Sequence, residues 1–124
     1  MKDKKQLTKS ETQVMNALWG LPDSQGYSSE IMYRLPDPKP APTTLLTFLK
    51  ILKDKGFVES VKKGKAHLFI AVVKREDYLR HYMADVKTAF FGGSLSSLVS
   101  FFAKEENLSE QEINDIIDII NHKK

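Results

Sequence analysis

Residues 42–73 read PTTLLTFLKILKDKGFVESVKKGKAHLFIAVV, and inside this stretch the hydrophobic period changes from that of a helix to that of a strand. From Pro42 to Lys55 the apolar positions Leu45, Phe48, Leu49 and Leu52 share one side of a helix, with Leu46 and Ile51 flanking. At about 100° per residue the opposite side presents Thr43, Thr47, Lys50 and Asp54. Pro42 suits the first helical turn, and Gly56 supplies the left-handed residue just beyond the last. Phe57 then falls where a Schellman ending brings it against Leu52. From Phe57 onward the period is two. Val58 and Ser60, then the alternation Ala66 to Val73, flank the basic turn Lys62-Lys63-Gly64-Lys65 and predict a hairpin with a cationic tip.

Working back from Pro42, prolines at 36, 38, 40 and 42 remove backbone donors and impose an extended connector. Alone, such a run also suits a proline-rich ligand for an adaptor domain, but its place between two helices of one small unit favours the connector. Before it, Ser28 or Ser29 is expected to cap a short helix carrying Ile31, Met32 and Leu35, after a polar turn at Asp23-Ser24-Gln25-Gly26. Further back, Thr8-Lys9-Ser10-Glu11 has capping-box spacing and opens a helix whose stripe is Val14, Met15, Leu18 and Trp19. Three helices followed by a hairpin is the order of a winged helix-turn-helix, expected over residues 1–74.

Residues 75–124 return to helical periodicity. One stripe holds Tyr78, Leu79, Tyr82, Met83, Val86 and Phe90 and ends at Gly92-Gly93; a second holds Leu95, Leu98, Val99 and Phe102. A third, opened by the capping-box spacing Ser109-Glu110-Gln111-Glu112, holds Ile113, Ile116, Ile117 and Ile120. Three amphipathic helices in so short a segment bury their stripes poorly alone, and pairing with the same element of a second chain is the usual remedy. A helical dimerisation domain is expected, making the chain mainly α, α+β in class.

Charge divides at nearly the same place. Residues 1–75 hold fourteen Lys/Arg against seven Asp/Glu, residues 76–124 five against nine, within an overall net charge of +3. The basic part favours a polyanion through counterion release, whereas the acidic part is repelled by it and needs another task. A major groove admits one helix, so the exposed side of residues 42–55 is the expected reader. Thr43, Thr44 and Thr47 offer hydroxyls and methyls, Lys50 reaches a guanine edge or phosphate, and Leu46 lies beside them. Lys62, Lys63 and Lys65 suit the sugar-phosphate rail, and Lys9 is a weaker phosphate candidate. The helix has no arginine or asparagine, so specificity is expected to lean on two-fold repetition or DNA shape.

Other chemistries find little support. The chain of 124 residues has no cysteine, and His67, His81 and His122 are too far apart for a helical ligand pair, so neither a disulfide framework nor a metal site is expected. Nucleotide-binding glycine loops, HExxH and GxSxG are all missing, and the carboxylates of residues 105–118 lie among caps and outer faces, so neither catalysis nor a cofactor is expected. The start Met1-Lys2-Asp3-Lys4-Lys5-Gln6 is polar and about 18 successive apolar residues occur nowhere, which points to a cytoplasmic chain. The principal alternative is a winged helix that binds protein and not DNA, since the fold serves both uses.

The sequence resembles the penicillinase-repressor family, the BlaI/MecI/CopY group of bacterial transcriptional repressors. The resemblance rests on Leu7-Thr8 through Val14-Met15 to Leu18-Trp19, on Thr43-Thr44 with Leu49 and Leu52, and on Lys55-Gly56-Phe57-Val58. It continues in Phe91-Gly92-Gly93, Ser97-Leu98-Val99 and Phe102-Ala103-Lys104. It implies a homodimer on a palindromic operator, with winged helices on DNA and carboxy-terminal helices intertwined. It also implies release when a membrane sensor with a cytosolic zinc-protease domain leads to cleavage in the dimerisation region. The family's cut bond joins an asparagine to a phenylalanine; the matching positions are Phe101 and Phe102, so the second fits and the first departs. Where members often carry arginine on the recognition helix this chain has Leu46, and the cysteine-rich tail of the copper-responsive branch is missing.

Overall fold

The structure, a computed structural model, describes residues 6–121, and side chains as far as 119. It divides into two compact units, Met1–Leu79 and Arg80–Lys124. The first runs α1 (Lys9–Trp19), a short 3₁₀ turn, β1 (Gln25–Tyr27), α2 (Ser28–Arg34), α3 (Pro42–Asp54), β2 (Val58–Lys63) and β3 (Ala66–Ala71). Helix α4 (Arg75–Phe91) begins in it, and the second unit adds α5 (Leu95–Glu105) and α6 (Glu110–Asn121).

Local chemistry sets each helix end. The Glu11 N–H donates to Thr8 Oγ1 at 3.1 Å while the Thr8 N–H donates to Glu11 Oε1 at 3.0 Å, so the expected capping box opens α1. At the end of α3 the Phe57 N–H donates to the Leu52 carbonyl (2.9 Å) and the Gly56 N–H to that of Lys53 (3.0 Å), the Schellman pair. Gly56 sits at φ +87°, where a β-carbon is disfavoured. Ser109 and Glu112 exchange the same reciprocal bonds at 3.2 and 3.1 Å before α6. Lys39, in the proline connector, donates through Nζ to the carbonyls of Met32 (3.0 Å), Tyr33 (3.2 Å) and Leu35, closing the end of α2.

Two expectations are corrected. The stretch read as a polar turn at 23–26 contains β1, which pairs antiparallel with β3 in the register Gln25↔Ile70, Gly26↔Phe69 and Tyr27↔Leu68. Three residues are too short to display a period of two. A β-carbon on Gly26 would lie 2.5 Å from Leu21 Cδ1, so a larger residue here would push the end of the Leu21 side chain aside. Because β1 runs straight into α2, Tyr27 and neither Ser28 nor Ser29 occupies the N-cap; its N–H donates to Glu30 Oε1 at 2.8 Å. The sheet order is β1-β3-β2, with Lys63 opposite Ala66 across the Gly64-Lys65 turn.

The core of the first unit gathers Val14, Met15 and Leu18 from α1, Ile31 from α2, Leu45, Leu49 and Leu52 from α3, and Val58 and Phe69 from the sheet. Each fully buried Leu, Ile or Met contributes roughly 1.5–3 kcal/mol. Tyr78, expected on the dimerisation stripe, belongs instead to this core. It is buried, its ring meets Phe57 (5.6 Å between centroids) and Trp19 (6.2 Å), and its hydroxyl accepts from the Leu7 N–H at 3.1 Å. Helical period alone does not distinguish which of two neighbours an apolar residue packs against, and here the first turn of α4 is held by α1. Trp19 Nε1–H donates to the Val73 carbonyl at 2.9 Å close by.

Among the described residues one charged group is buried. Glu11, 4% exposed, receives Lys55 Nζ at 2.6 Å, and that ammonium also donates to the Gln6 carbonyl at 3.2 Å. Burial alone would raise the carboxyl's pKa, but the Lys55 hydrogen bond and charge and the bonds from Thr8 outweigh it and hold the value below its ordinary 4.5. The stabilisation from this group is therefore complete above its unfolded value and is lost as pH falls through the lower, folded one. Glu11→Gln is expected to destabilise the protein at neutral pH by about 2 kcal/mol and to flatten the acid limb of stability. Urea unfolding measured between neutral and acid pH reads both effects.

Candidate nucleic-acid interface

Burial of Leu45, Leu49 and Leu52 leaves the other side of α3 in solvent. Thr43, Thr44, Leu46, Thr47 and Lys50 are all exposed there, as the helical period predicts. The Thr47 hydroxyl donates to the Thr43 carbonyl at 3.1 Å, one turn back. Lys50 Nζ lies 3.5 Å from Asp54 Oδ2 with both side chains largely exposed, so this pair is worth only a few tenths of a kcal/mol. Salt screens it and a phosphate competes with it readily.

Lys62, Lys63 and Lys65 are likewise exposed around the turn at Gly64, whose φ is +64°. Lys53 Nζ donates to Ser60 Oγ at 3.1 Å and ties α3 to β2. Lys53 follows Leu46 and Lys50 at i+7 and i+3 on the same side of α3, and the sequence reading missed it; the spacing with Leu46 was the available signal. Tyr33 on α2, 84% exposed, was also missed. It stands off the Ile31, Met32 and Leu35 stripe, which marks it as an aromatic with no core to enter. Lys9 is exposed in the first turn of α1. Its neighbour Ser10 shares a groove of about 250 Å³ with Thr44 and Pro38, so the opening turns of α1 and α3 lie side by side.

In the second unit, Leu98 is the only large apolar side chain buried among the described residues. Leu79, Val86, Val99 and Ile116 are half-buried, while Tyr82, Met83, Leu95, Phe102, Ile113 and Ile117 are exposed. The Ile120 side chain lies outside those described. Between α5 and α6 an apolar groove of about 590 Å³ is lined by Leu95, Val99, Ala103, Ile113, Ile116 and Ile117, among others. Phe101 and Phe102 sit within α5, each about half exposed; Phe101 packs against Phe91 (5.8 Å) and Phe102 (5.6 Å). No single described helix is long and apolar enough to cross a membrane.

Three helices, a hairpin wing and an outward threonine-lysine surface define the class as a winged helix-turn-helix protein. Within that class the chain belongs to the penicillinase repressor family, whose model matches residues 7–122. It is 27% identical to a penicillinase repressor of Bacillus licheniformis over the whole of this chain and 96% of that relative. Against a penicillinase repressor of Staphylococcus aureus it is 26% identical, covering 94% of this chain and 91% of the relative. Against the methicillin resistance regulatory protein MecI of Staphylococcus aureus (strain N315) it is 27% identical, covering 95% of each. The chain is thus a repressor of the BlaI/MecI type, and the family is not enzymatic.

Replacing Lys62, Lys63 and Lys65 together by alanine is expected to weaken binding to every duplex to a similar degree. The slope of log affinity against log salt should become shallower by about 0.9 for each phosphate that is no longer neutralised. Fluorescence anisotropy at several salt concentrations measures this, and an unchanged slope takes the wing off the phosphates.

Proposed function

We propose that the chain binds a palindromic operator in double-stranded DNA as a homodimer and represses transcription in the cytoplasm. Helix α3 enters the major groove, and the wing lies along the sugar-phosphate backbone. The observation that carries this reading is the pairing on one helix of a locked side, Leu45, Leu49 and Leu52, with an exposed side of Thr43, Thr44, Thr47 and Lys50. Rigid placement of hydroxyls, methyls and a cation suits base edges and phosphates. The wing lysines add charge-driven affinity that steepens the response to salt.

The second unit joins two such readers. Its exposed stripes on α4, α5 and α6 are apolar, while its charged residues are predominantly acidic, so it suits association with its own kind and not with DNA. Joining two weak readers makes the second binding event intramolecular, which raises affinity by a factor of about 10²–10⁴ when the half-site spacing matches. Release follows from removing that gain. By analogy with the family, a membrane sensor protease acting in β-lactam-type signalling cuts the second unit at Phe101-Phe102. That bond lies inside α5, and a protease needs extended backbone, so cleavage requires α5 to open locally.

Sedimentation and operator titration of the full chain test the proposal. The parent protein is expected as a dimer, two chains per palindrome, with affinity falling steeply as salt rises. The double substitution Ile113→Glu, Ile117→Glu places charge on exposed positions of α6 and should yield a folded monomer binding the operator at least about 100-fold more weakly. Equal affinities for parent and monomer, or no DNA complex even in dilute salt, would overturn it; the latter outcome favours a protein-binding winged helix.

A further inference from the structure

Leu46 is an apolar side chain on a surface otherwise made of threonine, lysine and Asp54, which pairs with Lys50. It occupies the second turn of α3 and is 47% exposed, with Thr43 three residues before it and Lys50 and Lys53 four and seven after it on the same side. An isobutyl group neither donates nor accepts a hydrogen bond, so pressed against most base edges it would strand their polar atoms at a cost of about 1–3 kcal/mol each. The major groove offers one apolar feature, the C5 methyl group of thymine. Thr47 reinforces the bias, because its hydroxyl proton is already engaged by the Thr43 carbonyl at 3.1 Å. What remains is a lone-pair oxygen and a methyl.

The surroundings argue against an apolar protein partner for this residue. Such a partner needs a contiguous apolar patch, whereas Leu46 is bordered by Thr43, Lys50 and Lys53, with the lysines of the wing on the hairpin that Lys53 joins through Ser60. An isolated methyl-bearing side chain inside a cationic field matches a thymine set in a polyanion.

We infer that Leu46 is a specificity-determining residue that reads a thymine methyl group in each half-site. The inference rests on the DNA-binding reading above. A methyl group removed from water is worth about 0.8 kcal/mol, so deleting it from one half-site should weaken binding about fourfold, and from both about fifteenfold.

The test starts from duplexes selected from random DNA by the full chain. Each thymine of the half-site is replaced in turn by deoxyuridine, which pairs identically but lacks the methyl. One symmetric pair of positions is expected to show the fifteenfold loss with the parent protein and none with Leu46→Ala. Thermal melting of that variant, matching the parent because the side chain is half exposed, shows that it is folded. Complexes that form tightly but ignore every deoxyuridine overturn the assignment, as does a methyl effect that persists in Leu46→Ala. Failure of the chain to bind any duplex in dilute salt overturns the DNA-binding reading itself, and the assignment with it.

Discussion

Leu45, Leu49 and Leu52 are inserted between α1, α2 and the sheet with essentially no exposure, and their burial removes the rotational freedom of α3 about its own axis. A helix that turned by one residue would bring Leu46 inward and Leu45 out, exchanging a filled position for a mismatch in a close-packed core. The outward residues are therefore placed by the inward ones. Thr43, Thr47 and Lys50 are largely in solvent, yet the direction in which each leaves α3 is set by the leucines behind them.

Several smaller interactions hold the ends of this arrangement. The Schellman ending at Gly56 turns the chain from α3 directly into β2, so the wing starts at a defined angle from the helix. Lys53 then links α3 to β2 across that turn, and Lys55 reaches Glu11 at the start of α1. Three successive odd-numbered positions thus divide the work at the end of α3: one lysine to the strand, one to the first helix, and a phenylalanine to the core. At the other end, Lys39 binds the last carbonyls of α2, so the proline connector is anchored before Pro42 begins α3.

The second unit obeys the opposite principle. Helices α5 and α6 are as amphipathic as those of the first unit, and α6 is well capped, but few of the second unit's apolar side chains are covered among the described residues. Helix formation there is a local matter of capping and period, whereas stability depends on what the exposed stripes meet. Tyr78 shows where the division falls. The first turn of α4 contributes its aromatic ring to the first unit's core, Leu79 beside it is half-buried, and one turn further along the same stripe Tyr82 and Met83 are exposed.

The sequence alone determined the features governed by local physics: the caps at Thr8 and Ser109, the ending at Gly56, the hairpin about Gly64, the extents of α3 and α4 to within a residue, and which residues of α3 face outward. These follow from hydrogen bonds and periods spanning a few residues, and are therefore written in neighbouring letters. Only the tertiary structure decided that Gln25–Tyr27 is a strand, since three residues acquire that conformation from β3, more than forty positions away. It likewise assigned Tyr78 to the first unit, bound Lys53 to Ser60 and left Tyr33 standing in solvent. Each of these depends on which distant surface arrives alongside, and a side chain's chemistry does not specify its neighbour until the chain has closed around it.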